Sequence, residues 1–163
     1  MGYSTKFDGN FRTDKSMDES FINYISRFAQ VRHMKRDVEK IKKCYPDWKK
    51  NCFMGELGKD GQYFIGEIDR ENSWDDSVIN SNTVPDGVPS LWCQWTVGEE
   101  RDSIEWDGCE KFSYYVEWLV YLIDNFFRPA GYVLNGDVEW QGEELLDRGC
   151  IHVVNNEAQV EYL

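Results

Sequence analysis

Hydrophobic and polar positions follow two different periods along the chain. Apolar residues three and four positions apart predict helices over 16–36 and 110–127, and a shorter basic helix is expected over 37–44. Alternating positions predict strands over 3–11, 61–69, 91–97, 102–107, 132–141, 149–154 and 160–162. The predicted fold class is therefore α+β, a largely antiparallel sheet with two main helices packed on one face, in a single domain spanning 1–163.

Local signals set the expected ends of these elements. Ser16 and Glu19 have the spacing of a capping box at the start of the first helix, which we expect to end near Arg36. Asp107 and Glu110 have the same spacing ahead of the second helix, which Pro129 is expected to end. Residues 70–90 read as a long loop. Asn135-Gly136 is compatible with a hairpin turn or with a bulge in one long strand.

The segment SLWCQWTVGEERDSIEWDGCEKF predicts a hairpin with the four-residue loop 98–101. In that register Trp95 lies opposite Ile104 and Cys93 lies opposite Trp106, so that Trp95 and Trp106 face the core. The opposite, polar face carries Trp92, Gln94, Thr96, Ser103, Glu105 and Asp107. Trp92, Gln94 and Glu105 are thus candidate binding residues, provided that the face is open.

Glu105 and Asp107 also have the spacing of a carboxylate pair in a glycosidase, about 7 Å between Cα atoms on one strand face. Acids two residues apart are common, and Asp107 already has the predicted capping role. We therefore predict no catalytic residue here, and a carbohydrate-active enzyme is the weakest of three hypotheses.

Charge is distributed unevenly. The net charge is −12, yet residues 27–50 contain nine basic and three acidic residues, a net +6 that leaves −18 for the remainder. Such acidity argues against binding to duplex nucleic acid. Arg32 and Arg36, four apart on the predicted helix, together with Lys35, form a candidate pocket for a small phosphorylated ligand such as a nucleotide signal. A solvated helix end is the other interpretation.

Cysteine and histidine spacing predicts neither a cofactor nor a metal ion. The five cysteines include no C-x-x-C, and the two histidines form no H-x-x-x-H. His152 reads as a structural strand residue. Without a signal peptide or a long apolar run, the expected location is the cytoplasm, away from membranes.

Three segments, IEWDGCEKFSYYVEWLVYLIDNFF, GYVLNGDVEWQGEE and DRGCIHVV, resemble a family of small acidic hypothetical proteins of bacteria and their phages. The family pattern runs LWCQW, EWDGGEKFYNYVEWLEYLI and GYVLNGEVEWQGED, and Cys109 stands where that pattern has glycine. MGYSTKF and RFAQVRHMKRD match more loosely.

The resemblance implies a phage context and no particular chemistry. The expected function is a non-enzymatic, phage-type accessory protein that binds a host or phage protein, as an anti-defence inhibitor would. The working surface would be the acidic hairpin and the C-terminal strands. Sequestration of a small anionic ligand by residues 27–50 is the alternative.

Overall fold

The computed structural model describes residues 2–66 and 75–163, which divide into two compact units. The sheet unit comprises Met1–Ile22 and Gln94–Leu163, and the insert unit comprises Asn23–Cys93. The boundary falls within one helix, and each unit is described by itself. That 1–163 forms a single domain stays a prediction.

Six antiparallel strands form the sheet of the sheet unit. Their order is β4-β5-β1-β6-β7-β8, so β4 and β8 are the edges. This sheet and the helices confirm the α+β class. The strands are β1 (Thr5–Thr13), β4 (Trp95–Val97), β5 (Ser103–Trp106), β6 (Leu134–Gly142), β7 (Arg148–Val154) and β8 (Glu157–Tyr162).

The β1–β6 pair is the long centre of the sheet, and its register runs unbroken from Thr5 opposite Gly142 to Thr13 opposite Leu134. Asn135-Gly136 is therefore neither a hairpin turn nor a bulge. Gly136 has φ +152°, and a Cβ atom there would lie 2.4 Å from the carbonyl oxygen of Asn10. The Asn-Gly signal thus marks a close approach of two backbones, which only glycine permits.

The β4–β5 hairpin exists, but its register differs by two residues from the predicted one. Trp95 pairs with Trp106, and Val97 pairs with Ile104. The Gly98 amide donates to the carbonyl of Ser103, which moves the four-residue loop to 99–102. A shift of two leaves every side chain on its predicted face, because strand faces alternate with a period of two.

The inner face of the sheet is aromatic. Trp95 and Phe11 are fully buried, and Trp106 is half-buried against the ring of Phe7, at 5.4 Å between centroids. Trp95 is therefore a core residue as predicted, whereas Trp106 is only partly one. Other buried residues of this face are Ile104, Leu134, Val138, Trp140, Ile151 and Val153.

The second predicted helix begins five residues later than expected. Helix α3 spans Tyr115–Leu122 and continues through a π turn, Ile123–Phe127, and a last α-helical turn, Arg128–Ala130. Positive φ angles at Gly108, Lys111 and Tyr114 keep the preceding residues out of a helix.

Both helix-end signals of α3 were misassigned. Asp107 does not cap the helix. Its carboxylate accepts the amide of Cys109 at 2.8 Å, forming an Asx turn. Pro129 does not end the helix either, since it lies in the final turn and Gly131 follows as the left-handed cap.

Helix α1 (Glu19–Phe28) crosses the boundary between the units, and the signals at both its ends were also wrong. The helix begins at Glu19, so Ser16 is not its N-cap. It ends at Phe28 rather than near Arg36, because the buried His33 side chain hydrogen-bonds the Phe28 carbonyl at 2.9 Å. That carbonyl would otherwise lack a partner at the helix end.

The insert unit is built from short elements. β2 (Lys35–Arg36) pairs with β3 (Val78–Asn80). Helix α2 (Val38–Cys44), with Asp37 as its N-cap, confirms the basic helix predicted over 37–44. Two 3-10 turns, Trp48–Asn51 and Lys59–Gly61, complete the described elements. Ile41, Cys52, Leu57 and Phe64 form a buried cluster.

The predicted strand over 61–69 is wrong where it can be compared. Residues 61–66 contain no strand. Gly61 ends the second 3-10 turn, 62 and 63 form a turn, and the backbone is left-handed at Gly61 and Gly66, while 67–69 lie outside the described residues. The predicted loop over 70–90 holds β3, and its first five residues also lie outside them. Within 2–66 and 75–163, no helix is long and apolar enough to cross a membrane.

The close approach at Gly136 predicts a large cost for any side chain there. Gly136→Ala should lower the free energy of unfolding by about 3 kcal/mol, because Cβ overlaps backbone that cannot rotate away. Gly108→Ala is the matched control. It also has positive φ, 85°, but no atom lies within 4 Å of a Cβ there, so it should cost about 1 kcal/mol. Equal losses in urea denaturation would contradict the steric explanation.

Candidate functional site

The outer face of the six-stranded sheet is polar and mainly acidic, and we call it the acidic face. Its members follow from the register: Asp8 pairs with Glu139, Asp137 with His152, and Cys150 with Glu161. The carboxylates of this face are Asp8, Glu105, Asp137, Glu139, Glu157 and Glu161, and its cationic residues besides His152 are Lys6, Arg12 and Arg148. All but the half-buried Glu105 are exposed.

His152 lies between two carboxylates of this face. Its Nδ1 is 2.6 Å from Asp137 Oδ1 and its Nε2 is 2.8 Å from Glu161 Oε2. Both contacts raise the pKa of the imidazole, that with Glu161 most. The side chain thereby connects β6 to β8 across its own strand, β7.

Cys150 lies two residues before His152 on the same face. Its Sγ is 3.7 Å from His152 Nδ1, and one donor atom from each of Asp137, Cys150 and His152 lies within 4.8 Å of the others. Burial, followed by the charges of Asp137, Glu139 and Glu161, raises the pKa of the Cys150 thiol. We call Asp137, Cys150 and His152 the donor triad.

The triad was not predicted, because C-x-x-C and H-x-x-x-H are the ligand spacings of turns and helices. On a strand, ligands to one ion come at a spacing of two, and Cys150-Ile151-His152 has that spacing. Asp137 joins them only through the β6–β7 register, which the chain alone does not display.

The predicted trio of Trp92, Gln94 and Glu105 does not lie in one unit. Trp92 belongs to the insert unit and is 43% exposed, whereas Gln94 and Glu105 belong to the sheet unit. Gln94 is buried and its amide donates to the Glu110 carbonyl at 3.1 Å. Its Oε1 accepts no hydrogen bond from the described residues. The Gln94 side chain is thus buried and bonded within the sheet unit, while Trp92 is an exposed aromatic residue.

The predicted basic helix face does not exist, because Arg32 and Arg36 lie beyond α1. Arg32 follows the helix and donates to the Ser81 carbonyl and the Asn82 side chain, both at 2.9 Å. Lys35 Nζ is 3.9 Å from Asp60. These residues therefore hold different loop segments instead of converging on one point.

Arg36 is the most enclosed of the three. Its Nη1 lies 3.0 Å from Asp75 Oδ2 and 2.7 Å from Ser77 Oγ, and its guanidinium lies over the Phe64 ring. Burial alone would raise the pKa of Asp75. Hydrogen bonds from Ser77 and Tyr45, with the charge of Arg36, outweigh burial and lower it. Arg36 thus neutralises a half-buried carboxylate inside the insert unit.

No protein-family model, curated protein or solved structure matches this chain.

The enclosed ion pair predicts unequal roles for the two arginines in stability. Arg36→Gln should lower the free energy of unfolding by about 3 kcal/mol, because Asp75 would keep its charge without its cation. Arg32→Gln, the matched control, should cost about 1 kcal/mol, because Arg32 forms hydrogen bonds but no ion pair among the described residues. Urea denaturation measures both. A larger loss for Arg32→Gln would contradict this assignment.

The buried His33 predicts a pH dependence of stability. Burial lowers its pKa from 6.5 to about 4, so between those values the unfolded chain binds more protons than the folded one. The contribution of His33 is fully present above the unfolded pKa and is lost as the pH falls through the folded pKa.

His33→Gln removes the titrating group but keeps an N–H for the Phe28 carbonyl. Between about pH 7 and pH 5 the wild-type protein should lose about 2 kcal/mol more unfolding free energy than this variant. The test is urea denaturation of both proteins at each pH, since the many carboxylates titrate alike in the two. Parallel pH profiles would show that His33 is not buried in its neutral form.

Proposed function

We propose that this protein is a non-enzymatic binding protein that uses the acidic face of its sheet against a basic surface of another protein. The observation that carries the proposal is the pair Asp8 and Glu139, two carboxylates directly opposite each other on adjacent central strands. Like charges in that arrangement destabilise a sheet. A costly arrangement on an exposed face is typical of a surface selected for function rather than stability.

Charge complementarity defines the partner. Six carboxylates against three lysine and arginine side chains on one face attract a surface rich in lysine and arginine and speed its association. The same charge repels nucleic acid and anionic lipid headgroups. A basic protein surface is therefore the occupant that we propose.

The resemblance to proteins of bacteria and their phages supplies the biological setting of the proposal. A phage accessory factor acts in the cytoplasm of the host cell, and a protein that binds there without catalysis acts by blocking its partner. We propose that the protein inhibits a bacterial defence protein by binding to it.

The alternative, sequestration of a nucleotide-like ligand by residues 27–50, has less support. Its central cation, Arg36, already contacts Asp75, Ser77 and Phe64. Arg32 donates to the Ser81 carbonyl and the Asn82 side chain, and Lys35 lies 3.9 Å from Asp60. A phosphate would have to displace these contacts.

The register provides a folded variant that tests the proposal. Asp8→Lys faces Glu139 and turns a repulsive pair into an attractive one, so the sheet should gain a few tenths of a kcal/mol. Glu139→Lys does the same from the other strand. Each should nevertheless lose at least about tenfold in affinity for the partner, since each inverts a charge at the centre of the acidic face.

The measurement is affinity capture from a bacterial lysate at low salt, followed by titration with the purified, identified partner. Glu117→Lys is the matched control, because it changes the same charge on the exposed side of α3 and should bind like the wild type. The proposal fails if the wild-type protein captures nothing above background. It also fails if Asp8→Lys and Glu117→Lys bind equally well, or if the captured partner carries no basic surface.

A further inference from the structure

Three donor atoms of different chemistry meet on the outer face of β6 and β7. They come from Asp137, Cys150 and His152, and one donor atom of each lies within 4.8 Å of the other two. A carboxylate, a thiol and an imidazole together form a ligand set that zinc favours in proteins. Asp137, Cys150 and His152 also lie on the acidic face, but zinc binding depends only on the geometry of their donor atoms and not on a protein partner.

Strand geometry brings the triad together. Cys150 and His152 are two residues apart on β7, so their side chains project from the same face. Asp137 is the direct cross-strand partner of His152 on β6. Directly opposite and next-but-one residues have Cβ atoms close enough for their side chains to reach one point above the sheet. The backbone therefore fixes the three attachment points.

The distances fit a zinc ion after one small movement. Zn–S bonds of about 2.3 Å and Zn–N bonds of about 2.0 Å place the sulfur and nitrogen atoms of a tetrahedral site about 3.5 Å apart, and Cys150 Sγ lies 3.7 Å from His152 Nδ1. Asp137 Oδ1, at 2.6 Å from the same nitrogen, has to withdraw by less than about 1 Å. Its side chain is 67% exposed, so the solvent side leaves room for this movement.

Glu161 completes the arrangement from β8. Its Oε2 lies 2.8 Å from His152 Nε2, the nitrogen that faces away from the triad. A histidine that binds a metal through one nitrogen generally donates its other N–H to a carboxylate, which fixes the tautomer and the ring orientation. With Nε2–H donated to Glu161, the lone pair of Nδ1 points to Asp137 and Cys150.

We propose that Asp137, Cys150 and His152 bind one zinc ion, with Glu161 orienting the imidazole and a water molecule as the fourth ligand. The thiolate and imidazole donors exclude Mg²⁺ and Ca²⁺, which take oxygen ligands. The site is shallow, since Cys150 is buried beneath it whereas His152 is half-buried and Asp137 is exposed. An ion thus has direct access from solvent.

The proposal revises the expectation that the chain binds no metal. That expectation rested on the absence of C-x-x-C and H-x-x-x-H, which are the ligand spacings of turns and helices. The competing interpretation keeps His152 as an imidazolium ion that simply bridges Asp137 and Glu161. Zinc and the bridging proton compete for the same Nδ1, so a metal titration separates the two.

The test uses the full chain, purified, treated with a chelator and dialysed. Zinc titration by calorimetry should give one site per chain with a micromolar or lower dissociation constant, and zinc should raise the melting temperature by mass action. Cobalt(II) in place of zinc should show a thiolate-to-metal charge-transfer band and the visible bands of a four-coordinate ion. The cobalt spectrum requires no variant and reports directly on the sulfur ligand.

Variants assign the ligands. Cys150→Ser should abolish the charge-transfer band and weaken zinc binding at least about tenfold, and Glu161→Gln should weaken it about tenfold while retaining the band. Cys109→Ser is the matched control, an exposed cysteine outside the triad that should bind zinc as the wild type does. Circular dichroism confirms that each variant folds.

Three results would each overturn the proposal. The first is a wild-type protein that binds no zinc even when the zinc concentration is about 100-fold above the protein concentration. The second is a cobalt complex without the thiolate band. The third is a Cys150→Ser variant that binds zinc as tightly as Cys109→Ser does. Because purified protein and metal suffice, failure here leaves the proposed protein binding untouched.

Discussion

The aromatic packing around Phe7 and Trp95 is the interaction on which the rest of the sheet unit depends. The Phe7 ring contacts those of Trp95, Trp106, Phe112 and Tyr115, at centroid distances from 4.9 to 5.7 Å. The Trp95 indole N–H donates to the Tyr115 carbonyl at 2.8 Å, so the same cluster anchors the start of α3. Because these rings commit one face of β1, β4 and β5 to the interior, alternation sends Asp8 and Glu105 to the other face. The core thus determines which strand positions lie on the acidic face. The side chains at those positions are not determined by the core.

The periodic sequence patterns predicted the strands and their faces. They did not predict the ends of the helices, which depend on single residues. The alternation in β1, β6 and β7 gave the strands and their faces, and even the hairpin, off by two residues, kept Trp95 inside. Element ends were less predictable. Helix α1 stops at Phe28 because His33 takes its carbonyl, and α3 starts late because Lys111 and Tyr114 have left-handed backbone. A hydrogen bond from a side chain to the backbone does not show in the hydrophobic pattern of the sequence. A positive φ at a non-glycine residue does not show there either.

The candidate sites follow the same division. The acidic face was foreseeable in outline, since the C-terminal strands carry acids at alternate positions. The donor triad was not, because it needs Asp137 in register with His152, a pairing between strands that no local pattern encodes. The helix face predicted for the arginine pocket does not form, because α1 ends at Phe28, before Arg32 and Arg36. The prediction aligned Arg32 with Arg36 on that helix, whereas in the structure Arg36 forms an ion pair with the half-buried Asp75.

The order of the strands has a consequence for how the chain folds during synthesis. β1 precedes the other described strands in the chain and lies in the middle of the sheet, between β5 and β6. Its partners come much later, since Phe11 pairs with Ile104 and Thr5 pairs with Gly142. The whole insert unit leaves the ribosome in between. The nascent chain therefore carries β1 and its apolar side chains without its partner strands until β5 and β6 have emerged, and such long-range pairing slows folding and favours association with other chains. Helix α2 and the buried cluster around Ile41 form from residues close together in the chain. The insert unit can therefore fold before β5 and β6 are available to pair with β1.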